Sequence, residues 1–129
     1  MTPAGIRALD SSTRLALDRT RLAYERTMMA WVRTATSLIT FGFTIHKFFQ
    51  FRIEHGAVLP DRLLGPREFG GVMVCIGLFA LILATVEHRR SMTSLRAEYG
   101  PVPYSIAATI GLLIGALGVI ALAAMLFQF

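Results

Sequence analysis

The sequence predicts an all-α integral membrane protein with three transmembrane helices. An N-terminal amphipathic helix precedes them, continuous with or leading into the first span. Three observations carry this expectation. The 129 residues are 54% hydrophobic and only 16% charged, far from the balance of a soluble domain. Residues 69–86 are uncharged, as is everything from Tyr99 onward, and each run reaches the roughly 18–20 residues that cross a ~30 Å hydrocarbon layer. Met28 to Ile45 is a third such run, broken only by Arg33. One domain is expected, with residues 1–27 as a cytoplasmic helix and 28–129 as the membrane part, its spans at about 28–49, 69–86 and 104–127.

Met1 to Gly5 reads as a mobile tip, and the helical pattern starts near Ser12 with Asp10, Ser11 and Ser12 as candidate caps. Arg14, Asp18, Arg21 and Glu25 alternate in sign at helical spacing, which reads as a solvated, salt-bridged face. Arg19 and Arg26 lie about 100° from that ladder, without acidic helical neighbours. Leu17, Tyr24 and Trp31 form a further face, with the two aromatic rings placed for a membrane interface or for the body of the protein.

Phe48, Phe49 and Phe51 mark the far interface of span one. The connection from Gln50 to Glu68 holds Gly56, Pro60, Gly65 and Pro66, which is loop chemistry. Span two ends at Glu87, His88, Arg89 and Arg90. The second connection can extend it as helix but must break at Gly100, Pro101 and Pro103. Span three carries Ala107, Gly111, Gly115 and Gly118 along one side. Small residues let helices approach closely in lipid, either within the chain or between protomers. Five arginines precede span one and three follow span two, against four basic residues in the first connection. That bias predicts a cytoplasmic N-terminus and an outward, periplasmic C-terminus.

Function is expected in one stripe. Arg19, Arg26, Arg33, Thr40 and Lys47 recur every seven residues, with Ser37 and Thr44 between them. A heptad drifts by only about 20° per repeat, so these side chains share a face. Arg33 at membrane depth costs a few kcal/mol or more unless it snorkels to headgroups, pairs with Glu25 or Glu87, or faces water or a ligand. Serine and threonine hydroxyls either line such a path or bond back to their own helix. The planar fork of arginine suits phosphate, so an anion is the expected ligand.

Other functions are disfavoured. A charge of +5 flanking hydrophobic spans points to anionic lipid rather than nucleic acid. Cys75 is alone, so no intrachain disulfide can form. No cleavable signal pattern is evident, and the chain is expected to be mature as written. His46, His55 and His88 are scattered, with no metal-ligand spacing, Gly-rich phosphate loop or acid–base pair. His46 is expected at an interface rather than as a ligand. The expectation is no enzyme, no cofactor and no metal.

The segment 19–45 also carries Leu22-Ala23, Glu25-Arg26-Thr27, Ala30-Trp31-Val32-Arg33-Thr34 and Phe41 to Phe43, a pattern that resembles the YidH-type inner-membrane proteins. The resemblance extends more loosely from about residue 12 to the end. It implies a small three-helix protein of the bacterial inner membrane with its N-terminus in the cytoplasm. The same domain is similar to the membrane part of the vacuolar transporter chaperone, which passes polyphosphate through a ring of such domains along basic residues of the first span. By motif position that resemblance points to Arg26 and Arg33, and to Lys47 only by its place at the far end.

Two functions follow as expectations. One is a homo-oligomer whose first helices surround an axis and bind or conduct an anion, polyphosphate being the candidate. The other is a non-transporting scaffold or accessory subunit that docks a partner membrane protein or anionic lipid.

Overall fold

The computed structural model describes residues 3–56, 58, 65–100 and 103–127. These form α1 (Pro3–Glu54), α2 (Pro66–Tyr99) and α3 (Ile106–Phe127). The expectations at Met1, Thr2, Pro60, Arg62 and Pro101 lie outside the described residues.

The helix ends follow from local chemistry. Proline at the first position of α2 forfeits an N–H that would be orphaned there anyway, and the Glu68 carboxylate accepts the Gly65 N–H at 3.3 Å. Gly56 and Gly100 adopt φ of 82° and 90°, a region in which side chains are strained, and they stop α1 and α2. Ser105 caps α3, its hydroxyl accepting the Ala108 N–H at 3.3 Å.

The first helix departs from the expected start. It begins at Pro3 and runs unbroken through Asp10, Ser11 and Ser12 to Glu54, about 78 Å for its 52 residues. Ala4, Ile6, Arg7, Ala8 and Leu9 are adequate helix formers, and they override a cap signal with no breaker beside it. The same continuity absorbs Gln50–Glu54 from the expected loop.

The helices run up, down and up. Met28 and Val32 of α1 pack with Leu81 and Ala84 of α2 and Ala107 of α3. At the other end, Gly42 meets Gly70, and Met125 lies near Gly71. Among the described side chains, the buried residues of α1 are Met28, Val32, Ala35, Ile39, Gly42 and His46, while those of α2 include Gly70, Val74, Gly77, Leu81, Ala84 and His88. Both series alternate four and three residues, the spacing that holds one seam against a neighbour. α3 completes it with Ala107, Gly111, Gly118 and Met125.

Each seam carries a buried histidine towards one end. His46 is buried, its Nδ1 3.0 Å from the Arg67 carbonyl at the start of α2. His88 is buried, its Nε2 3.0 Å from the Ser105 hydroxyl. Ser105 therefore both caps α3 and ties it to α2. Ser105→Ala should cost about 1–2 kcal/mol, from a lost cap and a lost partner for a buried ring nitrogen, read as a lowered thermal midpoint in detergent.

α2 and α3 are each long and apolar enough to cross a membrane. Only 28% and 17% of their most apolar windows is buried inside the bundle, so burial in a protein core does not account for their composition. α1 falls short of the same measure. Arg33 and the hydroxyls of Thr34, Thr36, Ser37, Thr40 and Thr44 lower its hydropathy without breaking the helix.

Candidate functional site

The α1 seam fixes where the basic stripe points. At about 100° per residue, Arg26 and Thr44 lie directly opposite Ala35, the fully buried centre of the seam, and Arg33 and Ser37 lie about 160° from it. Exposure agrees with the geometry: Arg19, Arg26, Arg33, Ser37, Thr40 and Thr44 are all exposed, and Lys47 is half-buried. The stripe occupies the side of α1 turned away from α2 and α3.

Arg33 follows Val32, which packs at the level of Leu81 and Ala84. It therefore sits within the stretch spanned by the uncharged run 69–86, about 10 Å along the axis from Arg26. Arg26 and Arg33 share an open groove of about 390 Å³ with Leu22, Glu25, Met29 and Ala30. Glu25 is held by Arg21 at 3.3 Å. Glu87 lies in another cleft, beside Tyr24, Thr27, Trp31 and His88. Of the two carboxylates, only Glu25 thus shares the Arg33 groove. Tyr24 and Trp31 face α2 across that second cleft.

The hydroxyls turn inward. Ser37 donates to the Arg33 carbonyl at 3.0 Å and Thr44 to the Thr40 carbonyl at 2.8 Å. Their protons are committed to the helix, while their lone pairs remain outward. At the far end the Lys47 ammonium donates to Gln50 at 3.2 Å. At the level of the uncharged run 69–86 the cation of the stripe is therefore Arg33, with Arg26 one heptad nearer the helix N-terminus.

The small residues of α3 pack within the chain. A Cβ on Gly111 would lie 2.8 Å from Met28 Cε, and one on Gly118 would lie 2.7 Å from Leu78 Cδ2. Gly115 faces Leu81, and Ala107 is buried among Met28, Val32 and Ala84. Sequence reasoning passed over the tighter α1–α2 crossing at Gly42, Gly70 and Gly77, and the histidines that close it. The signal was present as two matching four-three series, each reaching a histidine.

Antiparallel helices, two of membrane length, with a basic and hydroxylic row outside the first, define a small helical membrane-type protein. Residues 19–94, more than half of the chain, match the family model described as Domain of unknown function (DUF202), and the protein belongs to that family. The match spans the stripe and the α1–α2 seam together. No curated protein and no solved structure matches the chain.

Proposed function

We propose that the protein is a three-span membrane protein whose copies assemble with their α1 stripes toward a common axis, and that the stripe binds or conducts an anion. Polyphosphate is the candidate substrate. The observation that carries this reading is the outward direction of Arg26, Arg33, Ser37, Thr40 and Thr44. A guanidinium at the depth of Leu81 is costly against lipid, and a second copy bringing the same face supplies a polar environment. Repetition around an axis would multiply the cationic forks, which suits a polyanion.

In this reading α1 crosses the membrane between about Met28 and Phe49, supported by its antiparallel packing on α2 throughout that stretch. The N-terminal helix is cytoplasmic and the C-terminus lies on the opposite side, from the arginine bias; the bacterial inner membrane, and so a periplasmic C-terminus, is what the resemblance to YidH-type proteins implies. The resemblance of the 19–45 pattern to YidH-type proteins and to the vacuolar transporter chaperone supports the same assignment. No residue is given a catalytic role.

A conduit needs at least four or five first helices, because a packed three-helix seam leaves no hole. Native mass spectrometry from lipid nanodiscs should therefore show a ring of four or more. Polyphosphate flux into liposomes should be present for the wild type and absent for Arg33→Ala, with the protomer count unchanged. A monomer, dimer or trimer would overturn the conduit.

One observation favours a second reading, a scaffold or accessory subunit docking a partner membrane protein or anionic lipid. Ser37 and Thr44 donate their protons to the Arg33 and Thr40 carbonyls of the same helix, which leaves fewer donors for an anion than the stripe first implies. Under that reading Arg33→Ala releases a partner and there is no flux to lose.

A further inference from the structure

A second groove lies between α2 and α3, away from the stripe. It measures about 470 Å³ and is almost wholly apolar, walled by Leu78, Leu81 and Ile82 of α2 and floored by Gly115 and Ala116 of α3. One charged side chain lines it, Arg89 at the end nearest the second connection. There it meets an adjoining open groove that holds Arg90, Thr93 and Ser94, with Val86 and Arg89 common to both.

Length and charge together identify an occupant. From Leu78 to Arg89 is eleven residues, about 16 Å along a helix, close to half of a ~30 Å hydrocarbon layer and so to the depth of one leaflet. The apolar part begins where the uncharged run of α2 lies, and the cationic end falls just past Val86, at the level of headgroups. An apolar trough one leaflet deep that ends on arginine matches an acyl chain joined to a phosphate. The trough exists because Gly115 and Ala116 project little from α3, and the guanidinium beyond it can bind two phosphate oxygens at once.

We propose that this groove is a specific binding site for an anionic phospholipid, with one acyl chain along Gly115 and Ala116 and the headgroup phosphate on Arg89 and Arg90. The site rests on the membrane setting of α2 and α3 and is independent of what the α1 stripe does. The phosphate would lie on the same side of the membrane as the N-terminal half of α1.

The test uses the full chain, delipidated in detergent, and compares phosphatidylglycerol with phosphatidylethanolamine of identical acyl chains and with inorganic phosphate. Phosphatidylglycerol should raise the thermal midpoint and remain bound in native mass spectra, while the other two should do neither at the same concentration. Arg89→Gln combined with Arg90→Gln should weaken phosphatidylglycerol binding at least tenfold without changing the lipid-free midpoint. Ala116→Phe should fill the trough and abolish binding. Equal effects of the two lipids, stabilisation by inorganic phosphate alone, or undiminished binding by the Arg89/Arg90 variant would overturn the site. If Arg33→Ala removes the lipid instead, the lipid sits on α1 and the groove is not its site. If Ala116→Phe does not fold, the arginine variant still decides.

Discussion

Gly70→Leu should leave little or no folded protein in mild detergent, while Gly71→Ala, one residue away, should melt at or above the wild-type temperature. The difference lies in which way each Cα faces. A Cβ on Gly70 would lie 2.5 Å from the Gly42 carbonyl oxygen and 3.0 Å from the His46 nitrogen. These are backbone atoms of α1, which can yield only if the two helices part. A Cβ on Gly71 would meet nothing nearer than the flexible end of Met125, at 4.0 Å. Overpacking a close-packed seam by a methylene or two costs roughly 1–3 kcal/mol, so Gly70→Ala should already be destabilised within that range. Leucine adds three further carbons to the same collision. The parting would also pull His46 from the Arg67 carbonyl and strand its ring, so the cost exceeds the steric part. Alanine at 71, by contrast, gains the roughly 1 kcal/mol of helix propensity that glycine lacks. Trp31 is the only tryptophan and shares a cleft with Ala84 of α2, so its emission during thermal unfolding reports separation of the two helices. Equal midpoints for Gly70→Leu and Gly71→Ala would show that the crossing does not hold the bundle together.

The helical character and the two apolar spans were legible because they depend on uninterrupted runs, which a membrane-length helix requires whatever it packs against. The N-terminal start was less so. Asp10, Ser11 and Ser12 are good caps, but a cap signal ends a helix only where the preceding residues prefer another conformation, and Ala8 and Leu9 do not. The stripe could be assembled from spacing alone; the direction it faced could not. That direction is set by Ala35, Gly42, Gly70 and Gly77, residues whose importance is a small side chain, or none, where two backbones meet. His46 and His88 were hidden for a related reason. A histidine near a membrane boundary resembles an interfacial residue until its partner is known, and the partners, a carbonyl of Arg67 and the cap of α3, lie 21 and 17 residues away in the chain. The groove between α2 and α3 arises from a pairing of faces that neither helix announces by itself.

With α1 crossing the membrane as proposed, Arg33 separates binding from mere accommodation, and three substitutions at position 33 should rank accordingly. With the protein in nanodiscs and fluorescent polyphosphate as ligand, Arg33→Ala should weaken binding by well over a hundredfold, since a charge-assisted hydrogen bond contributes about 1.5–3 kcal/mol and the loss repeats in every protomer of the proposed ring. Arg33→Lys keeps the charge and the reach to headgroups but replaces a planar fork with a point donor, so a drop of about tenfold is expected. Arg33→Leu should bind no better than alanine yet assemble at least as stably, because it removes a costly charge from a face directed at other helices or lipid. A residue that only snorkelled would give a different order. Lysine would then equal arginine, and all variants would bind polyphosphate equally. Raising salt should weaken wild-type and lysine-variant binding to a similar degree and the alanine variant less steeply, because alanine leaves one cation fewer per protomer against the polyanion. Glu25 supplies an internal control. It lines the same groove and is held by Arg21, so Glu25→Gln removes the carboxylate that shares the groove with Arg33 and should strengthen polyphosphate binding several-fold. If Glu25→Gln has no effect while Arg33→Ala dissociates the assembly, the stripe is a docking face between proteins and the anion is not its ligand.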